Sequence, residues 1–228
     1  MAEREFAGGK KMNQVIQGKS VSFNATLFRA PLNSSLEPLP QLVRGQKLLV
    51  RACMPDQLKI EDVTTRRDIQ HYSHMIFNPF GYFIADGTMQ LEMDKVLRRY
   101  VRGPAASRIE DIKGTMGLPS CVFNDMIFTS DFSSIFANTR VTNWKQQEAR
   151  VYTRRMFRSE REVEQKLVVA LSTGLPITIS EYRRVEDEPF VEILRVNYSA
   201  WEFNKDFGAE FFSTLEPGGF EVFTPPPC

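Results

Sequence analysis

Hydrophobic and polar residues alternate along several stretches of the chain, and this period of two predicts β-strands. In the stretch KSVSFNATLF, apolar Val21, Phe23 and Leu27 alternate with polar residues, as expected for a strand with one buried face. The apolar run QKLLVRAC predicts a second strand that ends before Pro55. Two longer alternating stretches, PITISEYRRV and PFVEILRVNYSAWEF, predict two long antiparallel strands near the end of the chain.

A short hairpin is the clearest local prediction. Asp86 and Gly87 separate the strand-like runs GYFI and TMQLEM. An Asp-Gly pair suits a two-residue type I′ turn, because both central residues of that turn need positive φ. We therefore expect two antiparallel strands joined at Asp86-Gly87.

Two stretches have apolar residues spaced by three and four positions, which predicts helices. The first is TTRRDIQHYSHMIF, which ends before Asn78-Pro79. The second is a short helix over residues 96–101, ended by Gly103-Pro104. A single helix from Thr88 to Arg102 is the alternative interpretation of the second stretch.

The strongest predicted helix begins at Ser159. Ser159 and Glu162 have the spacing of a capping box, in which the serine oxygen accepts a backbone N–H bond and the glutamate reaches back. Gly174 and Pro176 provide an end signal. The apolar face of this helix would consist of Val163, Leu167, Ala170 and Leu171.

These elements predict an α+β fold that is β-dominant, with a largely antiparallel sheet or sheets and a few short helices. Residues 1–18 are polar and predict a flexible N-terminal arm, and residues 19–204 predict a single domain. Residues 205–228 form a Phe/Pro-rich C-terminal segment that packs back on the domain or docks on a neighbouring copy. The predicted interface rings of this segment are Phe207, Phe211, Phe212, Phe220 and Phe223.

Composition narrows the function classes. Of the 228 residues 42% are hydrophobic and 25% are charged, which is typical of a soluble globular protein. The net charge of +1 means that attraction to a polyanion would have to come from local clusters. The three cysteines form no CxxC pair, and no secretory signal or membrane-spanning run is visible. We predict an intracellular protein, cytoplasmic or nuclear and not secreted, without a cofactor.

The candidates for catalytic or metal chemistry are few. His71 and His74 are the two histidines of the chain, and Asp68 precedes them by one helical turn. A zinc site needs four ligands, and no further ligand is nearby. The sequence has no G-x-S-x-G elbow and no phosphate loop of Walker spacing. We therefore predict no catalytic residue and no metal site.

Clusters of arginine beside aromatic residues are the remaining candidates. Arginine binds phosphate through two parallel hydrogen bonds, and a neighbouring ring can stack on a base. In a strand, Arg150, Arg154 and Arg158 would point to one face and Arg155 and Arg161 to the other. In a helix, all but Arg155 would form one ridge. The alternative is a self-neutralised surface, paired with nearby glutamates. The predicted nucleic-acid or anion site is Arg150, Tyr152, Arg154, Arg155, Arg158 and Arg161, with secondary candidates Arg66, Arg67, Arg98, Arg99, Arg183 and Arg184.

These features together predict a non-enzymatic structural or binding protein. It would self-associate into a homo-oligomer and contact single-stranded RNA or another polyanion through its arginines. A viral coat, matrix or movement protein has this general character. One alternative is an intracellular adaptor domain with protein partners. Another is a small enzyme or metal site that uses His71, His74 and Asp68.

Overall fold

The computed structural model describes ten segments of the chain. These are residues 20–30, 42–53, 56–64, 81–95, 97–106, 138–158, 161–184, 188–208, 210–216 and 218–224. Every regular element in these segments is a β-strand. The strands are β1 (Ser20–Arg29), β2 (Val43–Cys53), β3 (Gln57–Asp62), β4 (Gly81–Asp86), β5 (Met89–Asp94), β6 (Arg99–Pro104), β7 (Asn138–Trp144), β8 (Gln147–Arg158), β9 (Arg161–Ala170), β10 (Pro176–Arg184), β11 (Val191–Phe203) and β12 (Glu221–Val222).

All the strands belong to one sheet of 12 strands, in the order β12-β6-β5-β4-β3-β2-β1-β11-β10-β9-β8-β7. Neighbouring strands are antiparallel, except that the two-residue β12 runs parallel to β6. The sheet consists of two runs of consecutive antiparallel strands, β1 to β6 and β7 to β11. The pairing of β1 with β11 joins the two runs at the centre of the sheet.

The predicted α+β fold class is wrong, although its β-dominant part is confirmed. The alternating stretches form β1, β10 and β11, and the apolar run QKLLVRAC forms part of β2. A hairpin joins β4 to β5 as predicted, but its two-residue loop is Gly87-Thr88, and of Asp86, Gly87 and Thr88 only Gly87 has positive φ. The predicted type I′ turn at Asp86-Gly87 is therefore wrong. The predicted helix over 96–101 and its alternative over 88–102 fall on β5, a turn and β6. The predicted helix that begins at Ser159 falls on β9.

Strand β9 resembled a helix because it is buried on both faces. Val163, Leu167 and Val169 lie on one face, while Val168 and Ala170 are buried on the other. Burial on both faces removes the alternation that identifies a half-buried strand. Pairing with β8 and β10 along nearly its whole length then outweighs the local helical preference of the sequence.

Several predictions fall on residues outside the described segments. They are the arm at 1–18, the predicted helix of the TTRRDIQHYSHMIF stretch, and the candidate residues Arg66, Arg67, Asp68, His71 and His74.

One face of the sheet holds the largest hydrophobic cluster, and we call it the core face. On this face Phe23 of β1 lies opposite Val50 of β2, and Val50 lies opposite Ile60 of β3. All three side chains are 0% exposed. The core face thus contains the alternating apolar residues predicted for β1 and part of the apolar run predicted for β2.

The opposite face of β4, β5 and β6 is covered by the C-terminal segment. Ile84, Leu91 and Tyr100 form a buried cluster there with Phe212. Asp86 fixes the segment to the β4–β5 hairpin, because its Oδ2 accepts a hydrogen bond from Thr214 Oγ1 at 2.6 Å. The partly buried rings that complete the cluster include Phe207, Phe211 and Phe220.

The turn between β4 and β5 provides a first test of the fold. Gly87 has a φ of +91°, and a Cβ there would lie 2.5 Å from Asp56 Oδ2. We expect Gly87→Ala to lower the free energy of unfolding by about 1–3 kcal/mol, the cost of forcing a side chain into this region of φ/ψ space. Gly103→Ala is the matched control, because a Cβ there meets nothing within 4 Å. Equal denaturation midpoints for the two variants would contradict this account of the turn.

Candidate functional site

The core face carries a continuous apolar layer that crosses eight neighbouring strands, from β4 through β1 to β8. Adjacent strands lie about 4.7–4.9 Å apart, so the layer is about 33 Å wide from its first strand to its last. The side chains of the layer are 0–9% exposed, so the layer is buried, and Ala105 and Ala106 pack against it. The layer consists of Val21, Phe23, Ala25, Leu27, Leu48, Val50, Ala52, Leu58, Ile60, Phe83, Ala85, Tyr152, Leu167, Val169, Ile179, Val196 and Tyr198.

Aromatic rings form the centre of this layer. The Trp201 ring stacks on the Phe23 ring at a centroid distance of 4.4 Å, and the Tyr198 ring meets the Phe23 ring edge-on at 5.9 Å. Trp201 Nε1 donates a hydrogen bond to the Pro176 carbonyl at 3.2 Å. A register shift between Ser22 and Asn24 accommodates Trp201 on the core face. Complete burial raises the pKa of Tyr198, so this phenol stays neutral.

A row of hydrogen-bonded polar side chains borders the layer on β8, β9 and β10. Arg154, Gln165 and Glu181 lie opposite one another across these strands, on the core face. Arg154 Nε donates to Gln165 Oε1 at 2.6 Å, and Gln165 Nε2 donates to Glu181 Oε2 at 2.9 Å. Gln165 is only 1% exposed, so this amide has one fixed orientation between a guanidinium and a carboxylate.

Two more arginines lie beyond this row on the same face. Arg183 is opposite Val163, and one of its terminal nitrogens lies 3.8 Å from Glu181 Oε1. Arg161 is opposite Arg158 at the end of the β8–β9 pair. The Arg183 side chain is 41% exposed. This side of the core face, which we call the arginine flank, therefore offers guanidinium groups next to the apolar layer.

The other side of the layer carries buried carboxylates. On β3 and β5, Asp62, Glu92 and Asp94 lie on the core face and are all buried. Asp62 accepts hydrogen bonds from Gln46 Nε2 and from the backbone N–H of Thr64, both at 2.9 Å. The apolar layer thus lies between an acidic side and the arginine flank.

The structure divides the predicted arginine site between the two faces. Arg150, Tyr152 and Arg154 lie on the core face, whereas Arg155 lies on the opposite face. Arg161 was expected to share a face with Arg155 in an extended chain. It lies instead on the core face, because β8 and β9 are separate antiparallel strands and Arg161 pairs with Arg158 across them.

On the opposite face, arginines are neutralised by glutamates on neighbouring strands. Arg155 Nε donates to Glu164 Oε2 at 2.8 Å, and Lys166 Nζ lies 2.8 Å from Glu164 Oε1. Arg184 pairs with Glu162 in the same way. The arginines of this face therefore form ion pairs with nearby glutamates, as in the self-neutralised surface considered as the alternative to an anion site.

The secondary arginine candidates are scattered over the sheet. Arg183 lies on the arginine flank and Arg184 on the opposite face. Arg98 lies in the β5–β6 turn with a φ of 51°. Arg99 lies 3.4 Å from Asp94 and stacks over the Phe223 ring at 4.3 Å.

Gln165 and Glu181 were not among the residues predicted from the sequence, and the structure joins them to Arg154 by hydrogen bonds. Gln165 was assigned to the apolar-faced helix of 159–174, so its position next to Arg154 was invisible. The placement of Val163, Leu167 and Val169 at even spacings was the available signal for a strand, but the buried Val168 and Ala170 on the other face obscured it.

Two carboxylates predict how stability depends on pH. Burial raises the pKa of Glu164, but hydrogen bonds from Lys166 and Arg155 outweigh it and leave the pKa lowered. Burial likewise raises the pKa of Asp86, and hydrogen bonds from the N–H of Met89, from Thr214 and from the N–H of Thr88 leave it lowered. A lowered pKa in the folded state stabilises the protein above the unfolded-state pKa, and this stabilisation is lost as the pH falls through the folded pKa.

We therefore expect the native protein to be more stable than Glu164→Gln and Asp86→Asn at neutral pH. The differences should shrink as the pH drops below about 4, where the carboxyls of the unfolded chain are protonated. Urea denaturation of the three proteins from neutral to acidic pH measures this. Differences that stay constant across the range would contradict the assigned hydrogen bonds.

Within the described segments, no group of three or more His, Cys, Asp or Glu side chains could hold a metal ion. The same part of the chain contains no helix that is long and apolar enough to cross a membrane.

No protein-family model and no curated protein sequence matches the chain. Solved structures match its fold. One is an uncharacterised conserved protein from Thermus thermophilus, with a TM-score of 0.49 and 8% identity over 98% of this chain and 99% of that one. A second, from Vibrio parahaemolyticus, is described as an outer membrane lipoprotein-sorting protein domain, with a TM-score of 0.40 and 10% identity over 93% and 97%. A third, a DUF1329 family protein from Desulfovibrio piger, has a TM-score of 0.44 and 9% identity over 93% and 97%.

These findings correct four predictions. The prediction of a self-associating, viral-type protein that contacts RNA is wrong, and so are the keywords and the polyanion partner that went with it. Arginines of the opposite face pair with glutamates, the C-terminal rings pack on their own sheet, and the matching structures are of bacterial proteins with no viral or RNA-binding description. The predicted intracellular location is also corrected, because it conflicts with the outer-membrane sorting description of the Vibrio domain.

Proposed function

We propose that the core face of the sheet lines the interior binding site of a non-enzymatic carrier for an amphiphile with an acyl chain. The acyl chain would enter by opening this buried layer. The single observation that supports this most strongly is the width of the apolar layer, which crosses eight strands. A long alkyl chain needs a continuous apolar surface and polar groups only at its end. The core face has this arrangement, since polar side chains border the layer on both sides.

The expected affinity follows from the hydrophobic effect. Each buried methylene contributes about 0.8 kcal/mol, so ten of them contribute about 8 kcal/mol before the cost of association. That cost is at least about 4 kcal/mol. A chain of this length with no favourable head-group contact would therefore bind with a Kd of about 1 mM at the tightest, and longer chains or head-group contacts would tighten binding.

The polar groups near the layer suit binding better than chemistry. Gln165 is fixed by hydrogen bonds to Arg154 and Glu181. The Tyr198 phenol stays neutral because its burial raises its pKa. Groups that are held in one protonation state and one orientation are suited to positioning a ligand.

The two tryptophans of the chain provide a direct test. Trp201 packs on the core face, whereas Trp144 packs on the opposite face against Ala149, Val151 and Val168. A terminally brominated fatty acid quenches a tryptophan that it contacts. We expect quenching in Trp144→Phe, which retains Trp201, and little quenching in Trp201→Phe, which retains Trp144.

Each variant is the control for the other, because both contain one tryptophan and bind the same probe. An unbrominated fatty acid of equal length should reverse the quenching by competition, and mass spectrometry should recover it unchanged. Equal quenching of both tryptophans, or none at saturating probe, would overturn the proposal. Conversion of the fatty acid to a product would contradict the proposal that the carrier is not an enzyme.

A further inference from the structure

We infer that the arginine flank binds an anionic head group, a carboxylate or a phosphate, with Arg161 and Arg183 as its ligands. This inference rests on the proposed function, because it assigns the orientation of the amphiphile on the core face. The acyl chain would lie across the apolar layer, and its head would lie beyond the Arg154–Gln165–Glu181 row.

The register places the two arginines close together. Arg183 is opposite Val163, and Arg161 is the next residue of β9 on the same face after Val163. Diagonal neighbours on one face of an antiparallel pair are about 7–8 Å apart. Two long guanidinium side chains at this distance can converge on one head group, and each can donate paired hydrogen bonds to its oxygens.

Ionic contacts within the flank leave these two cations available to a ligand. Among the described residues, no carboxylate lies within ion-pair distance of Arg161, and the contact of Arg183 with Glu181 is 3.8 Å long. The other oxygen of Glu181 already accepts a hydrogen bond from Gln165.

The rows next to the flank connect it to the apolar layer. Tyr152, Leu167 and Ile179 form the apolar row directly beside Arg154, Gln165 and Glu181. An alkyl chain that lies along the strand direction and crosses this row would reach the arginines at its end. The opposite side of the layer carries the buried carboxylates of Asp62, Glu92 and Asp94, with Arg99 3.4 Å from Asp94. An anionic head is attracted less to carboxylates than to the arginines of the flank. The two sides of the layer therefore favour one orientation of an anionic ligand.

Four amphiphiles with the same decyl chain test the head group. They are decanoate, decyl phosphate, decanol and decyltrimethylammonium, titrated by calorimetry below their micellar concentrations. We expect the two anionic ligands to bind at least about tenfold more tightly than decanol, since each can accept hydrogen bonds from a charged guanidinium. Acetate and inorganic phosphate are titrated separately, and we expect no measurable binding of either without the chain.

Arg183→Gln, Arg161→Gln and the double variant assign the residues. Each single substitution should weaken decanoate binding about tenfold and leave decanol binding unchanged. Arg184→Gln is the matched control, because Arg184 is the next residue of β10, has a similar side-chain exposure of 37% and lies on the opposite face. We expect it to bind all four ligands like the native protein.

The outcomes separate this inference from the proposed function. Equal binding of all four heads, or unchanged decanoate binding in the double variant, would overturn the arginine site while the acyl-binding proposal stands. Binding of none of the decyl ligands would overturn the proposed function itself. Tight binding of free phosphate that is lost in the double variant would assign the flank to a free anion and overturn the head-group assignment.

Discussion

Replacement of Phe23 by alanine is expected to lower the free energy of unfolding by about 3–5 kcal/mol, the range for truncating a buried phenylalanine. Phe23 is 0% exposed and lies on the central strand β1. Its ring contacts both Trp201 and Tyr198, and aromatic pairs add about 0.5–1.5 kcal/mol beyond the area that they bury. The cavity would open in the middle of the apolar layer, where two halves of the sheet are joined.

Chemical denaturation monitored by circular dichroism measures this loss. Phe157→Ala is the matched control, because Phe157 is 79% exposed on β8 and its truncation should change the unfolding free energy by less than about 0.5 kcal/mol. Trp201 emission should also shift in Phe23→Ala, since its stacking partner is removed. A loss of about 1 kcal/mol or less would mean that the layer rearranges easily, contrary to the packing described here.

The strands that could be predicted from the sequence are those with one buried face. β1 has Val21, Phe23, Ala25 and Leu27 on the core face, and its alternation is visible in the sequence. The hairpin between β4 and β5 could be predicted because positive φ favours glycine, although its loop begins at Gly87, one residue later than the predicted Asp86-Gly87 pair. In both cases the folded structure requires a feature that is visible locally in the sequence: one apolar face in β1, and a glycine at positive φ in the hairpin.

β9 could not be predicted in this way. The sequence at its start, Ser159 and Glu162, satisfies the spacing of a capping box, and Gly174 after it satisfies that of a helix end. In the structure Gly174 has a φ of 71° and closes the turn between β9 and β10, where its N–H donates to the Ala170 carbonyl at 2.8 Å. Glycine at positive φ therefore marked a true chain reversal, but the element before it was decided by pairing with β8 and β10.

The candidate site depends on sheet order and register, which no local pattern contains. Arg154 and Gln165 are 11 positions apart in the sequence, and Gln165 and Glu181 are 16 apart. Only the order β8-β9-β10 brings the three side chains into one row. The clustering of arginines is visible in the sequence. A strand, however, places neighbours such as Arg154 and Arg155 on opposite faces, where they have different partners.

The position of the C-terminal phenylalanine rings likewise could not be predicted from local sequence patterns. Their number predicts burial somewhere, because phenylalanine has no polar group that favours solvent. It does not indicate whether the covering surface belongs to the same chain or to another copy. The structure places Phe207, Phe211 and Phe212 against one another on the sheet of their own chain.

We expect Phe212→Ala to lower the free energy of unfolding by about 3 kcal/mol, at the lower end of the range for buried phenylalanine. Phe212 is 4% exposed, and its ring meets those of Phe207 and Phe211 edge-on at 5.6 and 5.1 Å. The same cluster contains Ile84, Leu91 and Tyr100 of three strands, so the loss should extend beyond the segment itself. Leu215→Ala is the control, because Leu215 is 79% exposed three residues later in the same segment.

Hydrogen exchange shows how far the effect of Phe212→Ala extends. If the segment and β4 to β6 form one cooperative unit, amides of these strands should exchange faster in Phe212→Ala than in Leu215→Ala. Faster exchange confined to residues after Phe207, with an unchanged denaturation midpoint, would mean that the segment detaches alone. The C-terminal segment would then cover a sheet that is stable without it, and the cluster on the opposite face would not contribute to global stability.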